Sequence, residues 1–490
     1  MANRKHQPAT AARQTKAHAQ RQAKAHAKVE ARRQQDIDRV NALPITHRHA
    51  AGIDIGGSSH WVCVGFTQDE NPQLIRALPG HTAGLQQIVA FLREHPVSTV
   101  AMEATGIYWV PLYERLQSEG FEVLLVDPSY TKQVQGRPTT DKRDAQWIYR
   151  LHAVDLLAGA FRPDDKTCPL RSYLRQRAKL IRYGGQHVPH MHKALEQRNL
   201  KLMTVRSDLT GVTGQKILGA ILRGTRDPSK LAAYRHPKCQ ATAEALLQAL
   251  TGSGREEPVF RLRQAYEAWQ FYQKPIDKVE EQIQTQLRRM KTDRALPPLK
   301  PKPRTRGRKP NDPRFDVRSA LYYAIGLDRT EIEGIDEVTA LVILSAIGVD
   351  LSKLETEKRF CSWLGLCPQF RQTGGKVKSS RRRPGTNRTA TALRLAANSL
   401  HSSKSALGAF LRRRKSRLGA PAAITATAHK RARLVYYALK NGLPYVKKRQ
   451  EEYERLLRET QIRAVKRKAR QLGLKVTESI AEESVMELPT

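Results

Sequence analysis

The stretch AGIDIGGSSHWVCVG, from Ala51 to Gly65, places an acidic side chain where an apolar run ends in a turn. The apolar run predicts a strand, the Gly-Gly-Ser-Ser segment predicts a tight turn, and HWVCVG predicts a second strand. Asp54 is therefore expected at the end of the first strand. Three roles are open for it: a metal ligand, part of a phosphate-binding turn of the sugar-kinase type, or an ordinary turn residue.

The following segments predict an α/β domain over residues 48–160. GLQQIVAFLREH has helical spacing, VSTVAME is a strand that ends at Glu103, and FEVLLVD is another buried strand. DKRDAQWIYRLHAVDLL is an amphipathic helix that carries Asp141 and Asp144 on one face near its start. Strands first and then alternating β and α units predict a mixed sheet flanked by helices.

Four carboxylates of this domain form a candidate metal site: Asp54, Glu103, Asp141 and Asp144. Strand ends in an α/β sheet meet in a common crevice, and a carboxylate cluster there binds hard cations such as Mg²⁺. Two such ions can support phosphodiester cleavage. Taken alone, each acid is more simply explained as a turn residue or a helix cap. The prediction therefore depends on sheet order, spacing and net charge together.

The charge balance of the chain favours a polyanionic partner. Its 490 residues include 86 Lys and Arg against 46 Asp and Glu, which gives a formal net charge of +40. Nucleic acid is the expected partner, and a small-molecule kinase is disfavoured because a second phosphate-binding turn is also missing. We expect no membrane association, since no apolar run reaches transmembrane length. Five scattered cysteines without a C-x-x-C pair predict reduced thiols in the cytoplasm and no zinc site.

Composition also divides the rest of the chain. Residues 1–47 form a basic arm that is too poor in large apolar residues to bury a core, and we expect it to be disordered. Residues 161–296 predict long helices with polar faces, a coiled-coil arm suited to oligomerisation. Residues 297–314 are a Pro-rich basic linker. A mostly α-helical C-terminal domain is expected at 315–450, followed by a charged helix and tail at 451–490.

The C-terminal domain contains a segment with the form of a helix-hairpin-helix. In IEGIDEVTALVILSAIG, from Ile332 to Gly348, a turn at Gly334 leads into an apolar helix. Backbone amides at such a turn can bind a phosphate without reading sequence. An ordinary helical hairpin explains the pattern equally well.

A second segment, RQTGGKVKSSRRRPGTNR, surrounds a Gly-Gly turn with cations and hydroxyls. Close backbone approach, positive charge and an attacking oxygen are what a phosphoryl-transfer nucleophile requires. By residue types alone, a loop that only binds phosphate is favoured. The candidate nucleic-acid-binding residues are Arg371, Lys376, Lys378, Arg381, Arg382, Arg383 and Arg388.

Together and in this order, these segments resemble the DEDD-type transposases of bacterial insertion sequences, the family whose recombinases are guided by a bridge RNA. The resemblance covers residues 48–450. It rests on GIDIGGSSH, AMEATGIYWVPLYERL and TDKRDAQWIYRL in the first part, and on GIDEVTALVILSAIG, WLGLCP, GGK and ALRLAA in the second. It implies a RuvC/RNase H-like DEDD domain, a helical arm and a C-terminal transposase domain.

The resemblance also implies roles for individual residues. Asp54, Glu103, Asp141 and Asp144 become the metal-binding tetrad, with Mg²⁺ as cofactor. A hydroxyl nucleophile is implied just before Gly-Gly-Lys, where the family usually has serine. This chain has Thr373 there, a departure that keeps the hydroxyl but adds a methyl group, which restricts χ1. The neighbouring Ser379 and Ser380 are less well aligned with that position.

The function that the resemblance implies is a Mg²⁺-dependent DNA transposase or recombinase of the bacterial cytoplasm and nucleoid. It would cut and rejoin element ends and target DNA through a covalent protein–DNA link, at a composite site in a homo-oligomer, a dimer or tetramer. A guide RNA would set the choice of target. Two alternatives stay open: a RuvC-like structure-specific nuclease without a covalent intermediate, and a catalytically inactive relative that binds nucleic acid.

Overall fold

The computed structural model describes residues 42–474, with residues 31, 35 and 38–40 before them. The gaps are 66–73, 129–139, 206–207, 238–240, 254, 293–294, 302–309, 383–384 and 386. Most of the predicted basic arm and the end of the tail, 475–490, therefore lie outside the described residues. The chain divides into two compact units, Met1–Arg162 and Pro163–Thr490.

In the part that the structure describes, the first unit contains a five-stranded mixed sheet. Its strands are β1 (Ala50–Ile55), β2 (Ser59–Val64), β3 (Leu74–Pro79), β4 (Thr99–Glu103) and β5 (Glu122–Val126). Their spatial order is β3-β2-β1-β4-β5. β1 is antiparallel to β2 but parallel to β4, and β4 is parallel to β5. The mixed α/β sheet confirms the predicted class and is consistent with the RuvC-like fold that the resemblance implies.

Helices cover both faces of this sheet. They are α1 (Thr82–Glu94), α2 (Trp109–Ser118) and α3 (Asp141–Ala153). One face packs against α1 and α2 through a core that includes Ile53, Ile88, Met102 and Leu112. The opposite face packs against α3, where Trp147 and Ile148 cover Ala101 and Val126. Because strand residues alternate between faces, every second residue of β1 and β4 points toward α3.

The second unit is mainly helical in its described residues. Its first helices are α4 (Thr167–Gly185), α5 (His187–Gln197), α6 (Leu202–Val205), α7 (Val212–Leu222), α8 (Pro228–Ala232), α9 (Ala243–Ala249) and α10 (Glu257–Arg289). The long helix predicted through QHVPHMH is divided between α4 and α5 at Gln186. Pro189 explains the division, because it lacks the N–H that would continue the helical hydrogen bonds.

The remaining elements follow the Pro-rich segment. They are α11 (Val317–Ile325), α12 (Glu337–Ile347), α13 (Glu357–Trp363), the hairpin strands β6 (Arg371–Thr373) and β7 (Lys376–Ser379), α14 (Arg388–Asn398), α15 (Ala406–Leu418), α16 (Ala420–Asn441) and α17 (Leu443–Gln471). A mostly helical C-terminal part was expected, and α17 continues through residue 450 without a break. None of the helices in the described ranges is both long and apolar enough to cross a membrane.

The helices of the arm pack on one another rather than standing apart. α10 lies along α4 and α5, and a buried cluster that includes Leu195, Ile217, Leu246 and Leu262 joins α5, α7, α9 and α10. A coiled-coil association of this arm with a second copy stays a prediction.

A buried ion pair joins α4 to α10. Arg177 donates from Nε to Glu280 Oε1 at 2.8 Å, and both side chains are almost fully buried. Glu280 Oε2 also accepts from the backbone N–H of Arg314 at 2.6 Å, and Arg177 Nη2 donates to the carbonyl of Asn311 at 2.8 Å. The pair therefore attaches the end of the Pro-rich segment to both helices.

Candidate active site

Asp54 and Glu103 lie side by side at one end of the sheet. β1 and β4 are paired in register from Ala50 with Thr99 to Ile53 with Met102, so the next residues along the two strands are Asp54 and Glu103. Ile53 and Met102 both point into the core beneath α1 and α2. By strand alternation, Asp54 and Glu103 project from the other face, the one that α3 covers. The two carboxylates thus share a face and a strand end.

The direction of α3 brings two further acids to the same end. At the start of β4, Thr99 Oγ1 is hydrogen-bonded to His152 Nε2 at 3.0 Å. Further along the strands, Gly52 of β1 lies against Ala145, which is at least one helical turn closer than His152 to the beginning of α3. α3 therefore runs opposite to β1 and β4, and its first turn, with Asp141 exposed and Asp144 half-buried, reaches the carboxyl ends of the strands. We call these four acids, Asp54, Glu103, Asp141 and Asp144, the carboxylate edge.

Local sequence explains why α3 begins and packs as it does. Thr140 caps the helix, because its side chain accepts from the backbone N–H of Arg143 at 3.4 Å. Gly52 permits close packing on β1: a Cβ there would lie 2.6 Å from the carbonyl oxygen of Ala145 and would also overlap the backbone nitrogen of Tyr149. Only a residue without a side chain allows this approach.

The carboxylate edge has the donor chemistry of a hard-cation site. Carboxylate oxygens are the ligands that Mg²⁺ prefers, and the four acids come from adjacent strands and one helix end. Thr105 Oγ1 donates to Glu103 Oε1 at 3.1 Å, which orients one carboxylate. Among the described residues, no group of three or more His, Cys, Asp or Glu side chains is gathered closely enough to hold an ion. The residues fit a metal in type and share one end of the sheet, and metal binding itself stays a prediction.

Asp127 is an acid at this edge that the sequence reasoning did not single out. It directly follows β5, whose Val126 pairs with Glu103. The sequence pattern that could have identified Asp127 is the same as for Asp54, namely an acid directly after an apolar run. Val126 packs with Trp147 on the α3 face, so the residue after it turns away from that face. This placement distinguishes Asp127 from Asp54 and Glu103.

Thr373 lies at the tip of the β6–β7 hairpin in the second unit. Thr373 and Lys376 are paired across a two-residue turn. Gly374 and Gly375, with φ of 55° and 73°, form that turn, and this double positive φ is what tight hairpins require. Gln372 Nε2 donates to the Gly375 carbonyl at 3.0 Å. The Thr373 side chain is exposed, so its hydroxyl is accessible to a substrate.

Most of the predicted basic residues lie exposed along this hairpin and just beyond it. The exposed ones are Lys376, Lys378, Arg381, Arg382 and Arg388. Arg383 lies outside the described residues, and of Arg371 only the backbone is described.

Two arginines from other helices add to this surface. Burial, and then the charge of Arg388, lower the pKa of Arg175 on α4. Burial, and then the charge of Arg382, lower the pKa of Arg394 on α14. These like charges are held close together, which suits a polyanion. The sequence could not identify Arg175 or Arg394, because only folding brings their helices to the hairpin.

The helix-hairpin-helix interpretation of the Gly334 turn is not confirmed. A short 3-10 turn, Arg329–Glu331, precedes it. Arg431 of α16 is fully buried and donates to the carbonyls of Glu333 at 2.6 Å and Gly334 at 3.3 Å. Gly334 has a φ of 69°, and any Cβ there would overlap the Arg431 guanidinium. Internal packing of an arginine therefore explains this glycine without a nucleic-acid phosphate.

Comparison with known proteins finds matches in both units. A transposase model of the DEDD type, from IS110, matches residues 51–199, and the model of the transposase IS116/IS110/IS902 family matches residues 330–412. The first match contains the carboxylate edge, and the second contains Thr373. A probable family 20 transposase of Pseudomonas aeruginosa is 25% identical over 295 residues, covering 60% of this chain and 68% of that protein. Together these matches support an IS110-type transposase, an enzyme that cleaves DNA and transfers its strands.

Proposed function

We propose that the carboxylate edge is the metal-dependent cleavage site of this transposase, and that Thr373 is the nucleophile of a guide-RNA-directed strand exchange. The antiparallel course of α3 carries the first part of the proposal. This course of the helix supports a common location for two strand-end acids and two helix-start acids. Roles as turn residues or helix caps would not require the four acids to share one location.

The four acids of the carboxylate edge, Asp54, Glu103, Asp141 and Asp144, would hold Mg²⁺. Bound Mg²⁺ supplies charge stabilisation at a phosphate and lowers the pKa of an attacking hydroxyl. The chain's own contribution is orientation. The hydroxyl of Thr105 holds one oxygen of Glu103, and the packing of α3 on Gly52 fixes the distance of Asp144 from Asp54.

Thr373 would form the covalent link to DNA. Its Oγ1 attacks the phosphorus and loses its proton, a P–O bond to Thr373 forms, and the P–O bond to one strand breaks as the leaving oxygen becomes a hydroxyl. Lys376, paired across the turn, provides positive charge next to the phosphate. The two-glycine turn supports this role, since it presents the hydroxyl at an exposed tip.

DNA and a guide RNA are the proposed partners. The arginines and lysines of the hairpin surface would bind phosphates without reading sequence, which leaves target choice to base pairing. A formal net charge of +40 is large enough for the protein to bind both DNA and RNA. A dimer or tetramer is also proposed, with α4, α5 and α10 as the helices that would associate.

The decisive experiment is a cleavage and strand-exchange assay with Mg²⁺, DNA that carries the flanks of the gene, and RNA transcribed from them. Asp54→Asn and Glu103→Gln should abolish cleavage, whereas Glu122→Gln should not. Glu122 is the matched control because it is an exposed strand glutamate at the opposite end of the sheet. Equal loss in all three variants would contradict a specific role for the carboxylate edge.

Thr373 is tested by mapping the protein–DNA adduct. We expect an adduct at Thr373, its loss in Thr373→Ala, and its retention in Thr373→Ser. Cleavage by Thr373→Ala at the wild-type rate without any adduct would identify a nuclease instead. DNA binding without cleavage by either the wild type or Thr373→Ser would identify an inactive relative.

A further inference from the structure

Two exposed hydrophobic residues lie next to each other in the loop after β4. Ile107 is 76% exposed and Tyr108 is 53% exposed. Among the described residues of the first unit, these are the two most exposed large hydrophobic side chains; the next is Leu156, at 49%. Adjacent exposed apolar side chains on a highly charged protein commonly mark a binding surface.

The position of Tyr108 links it to the carboxylate edge. Gly57 lies three residues after Asp54, and a Cβ on it would lie 3.9 Å from Cε1 and Cζ of the Tyr108 ring. Gly106 lies three residues after Glu103, and a Cβ on it would lie 3.6 Å from Cδ2 of the same ring. The ring therefore lies between the two loops that leave the two strand-end acids.

The local backbone holds the ring in this position. Gly106 has a φ of 59°, a left-handed conformation that turns the chain immediately before Tyr108. Tyr108 is the N-cap residue of α2, and its side chain does not cap the helix. The hydrophobic core beneath α2 contains its neighbour Trp109 but not Tyr108. Folding of the first unit thus leaves Tyr108 more than half exposed.

We propose that Tyr108 is a positioning residue that stacks on a nucleotide base next to the phosphate at the carboxylate edge, with Ile107 packing against the same nucleotide. The inference rests on the proposed function, because it requires DNA at that edge. Aromatic stacking is tolerant of base identity, so it suits an enzyme that leaves sequence reading to base pairing. It would hold the sugar–phosphate chain at a fixed distance from Asp54 and Glu103.

Photo-crosslinking tests the contact without requiring catalysis. The protein carries Asp54→Asn, and 5-iododeoxyuridine is placed at each position in turn of a DNA that carries the gene flanks. We expect one or two adjacent positions to crosslink to Ile107 or Tyr108, as mapped by mass spectrometry. Tyr108→Phe should retain the crosslink and Tyr108→Leu should lose it. Crosslinks that never map to this loop would overturn the inference.

Cleavage kinetics provide the second measurement. In the otherwise wild-type protein, Tyr108→Leu should reduce cleavage by about tenfold or more, whereas Tyr108→Phe should stay within about twofold of wild type. Leu156→Ala is the matched control, because Leu156 is exposed beyond the far end of α3. An effect of Leu156→Ala equal to that of Tyr108→Leu would refute stacking.

The two proposals fail in distinguishable ways. If Asp54→Asn cleaves normally, the function proposed for the carboxylate edge is wrong. If Asp54→Asn is inactive while Tyr108→Leu cleaves at the wild-type rate and crosslinks equally well, only the role of Tyr108 is wrong.

Discussion

Gly52→Ala tests whether the packing of α3 sets the geometry of the carboxylate edge. The added Cβ would lie 2.6 Å from the carbonyl oxygen of Ala145, whereas ordinary van der Waals contact begins near 3.4 Å. The backbone nitrogen of Tyr149 would lie closer still to the Cβ, so the helix must withdraw by more than about 0.8 Å. The opposing atoms belong to the backbone of α3, so no side-chain rotation can relieve the overlap.

This displacement should reduce catalysis more than stability. Asp144 directly precedes Ala145 and moves with the helix, while Asp54 stays on β1. A misplacement of about 1 Å in a catalytic site can cost about 100-fold in rate, whereas overpacking of this kind costs about 1–3 kcal/mol of unfolding free energy. We expect folded protein at 25 °C with cleavage reduced by about 100-fold.

The assay compares Mg²⁺-dependent cleavage with urea unfolding for Gly52→Ala and Gly65→Ala. A Cβ on Gly65 would overlap the hydroxyl end of the Tyr149 side chain and not the backbone of α3. Gly65→Ala should therefore lose less than about tenfold in rate. Wild-type cleavage by Gly52→Ala, or loss of stability without loss of cleavage, would refute the reasoning.

Three further predictions concern stability and can be measured by urea unfolding followed by circular dichroism. Glu280→Leu leaves the buried Arg177 without its carboxylate and should cost about 3–5 kcal/mol, most of which the double variant with Arg177→Met should recover. Arg329→Met should stabilise the protein by about 1–3 kcal/mol, because Arg329 is 2% exposed and its three side-chain nitrogens have no hydrogen-bond partner among the described residues. A destabilised Arg329→Met would mean that the arginine has a partner. Burial and the neighbouring His47 lower the pKa of His152 to about 4. Stability should thus fall between pH 6.5 and about 4, by up to about 3 kcal/mol, as the unfolded chain takes up the proton first. His152→Gln should remove this dependence.

The first unit shows how much local pattern can predict. An acid after an apolar run identifies a strand end, and Asp54 and Glu103 both lie where that pattern placed them. Asp141 and Asp144 likewise fall in the first turn of a helix. Each of these features depends on residues that are close together in the sequence. They can therefore be predicted from one sequence alone.

Features that depend on distant residues could not be read from the sequence. The turn at Gly334 looked like a phosphate site because nothing near it reveals Arg431, which comes from a helix almost one hundred positions later. The same limit applies to Arg175 and Arg394, whose charges join the hairpin surface only in the folded chain. Within the part of the chain that the structure describes, Arg329 is buried without a hydrogen-bond partner. This contradicts the ordinary expectation for arginine, so no sequence pattern would predict it.

Because α3 runs antiparallel to β1 and β4, the number of residues between its two ends determines where its first acids lie. His152 attaches one end of α3 to Thr99, and Asp144 lies eight positions earlier at the other end. Inserting one residue between them would turn the acid by about 100° and shift it by about 1.5 Å. If Asp144 has its proposed role, an active copy of this protein must keep the interval between Asp144 and His152 unchanged.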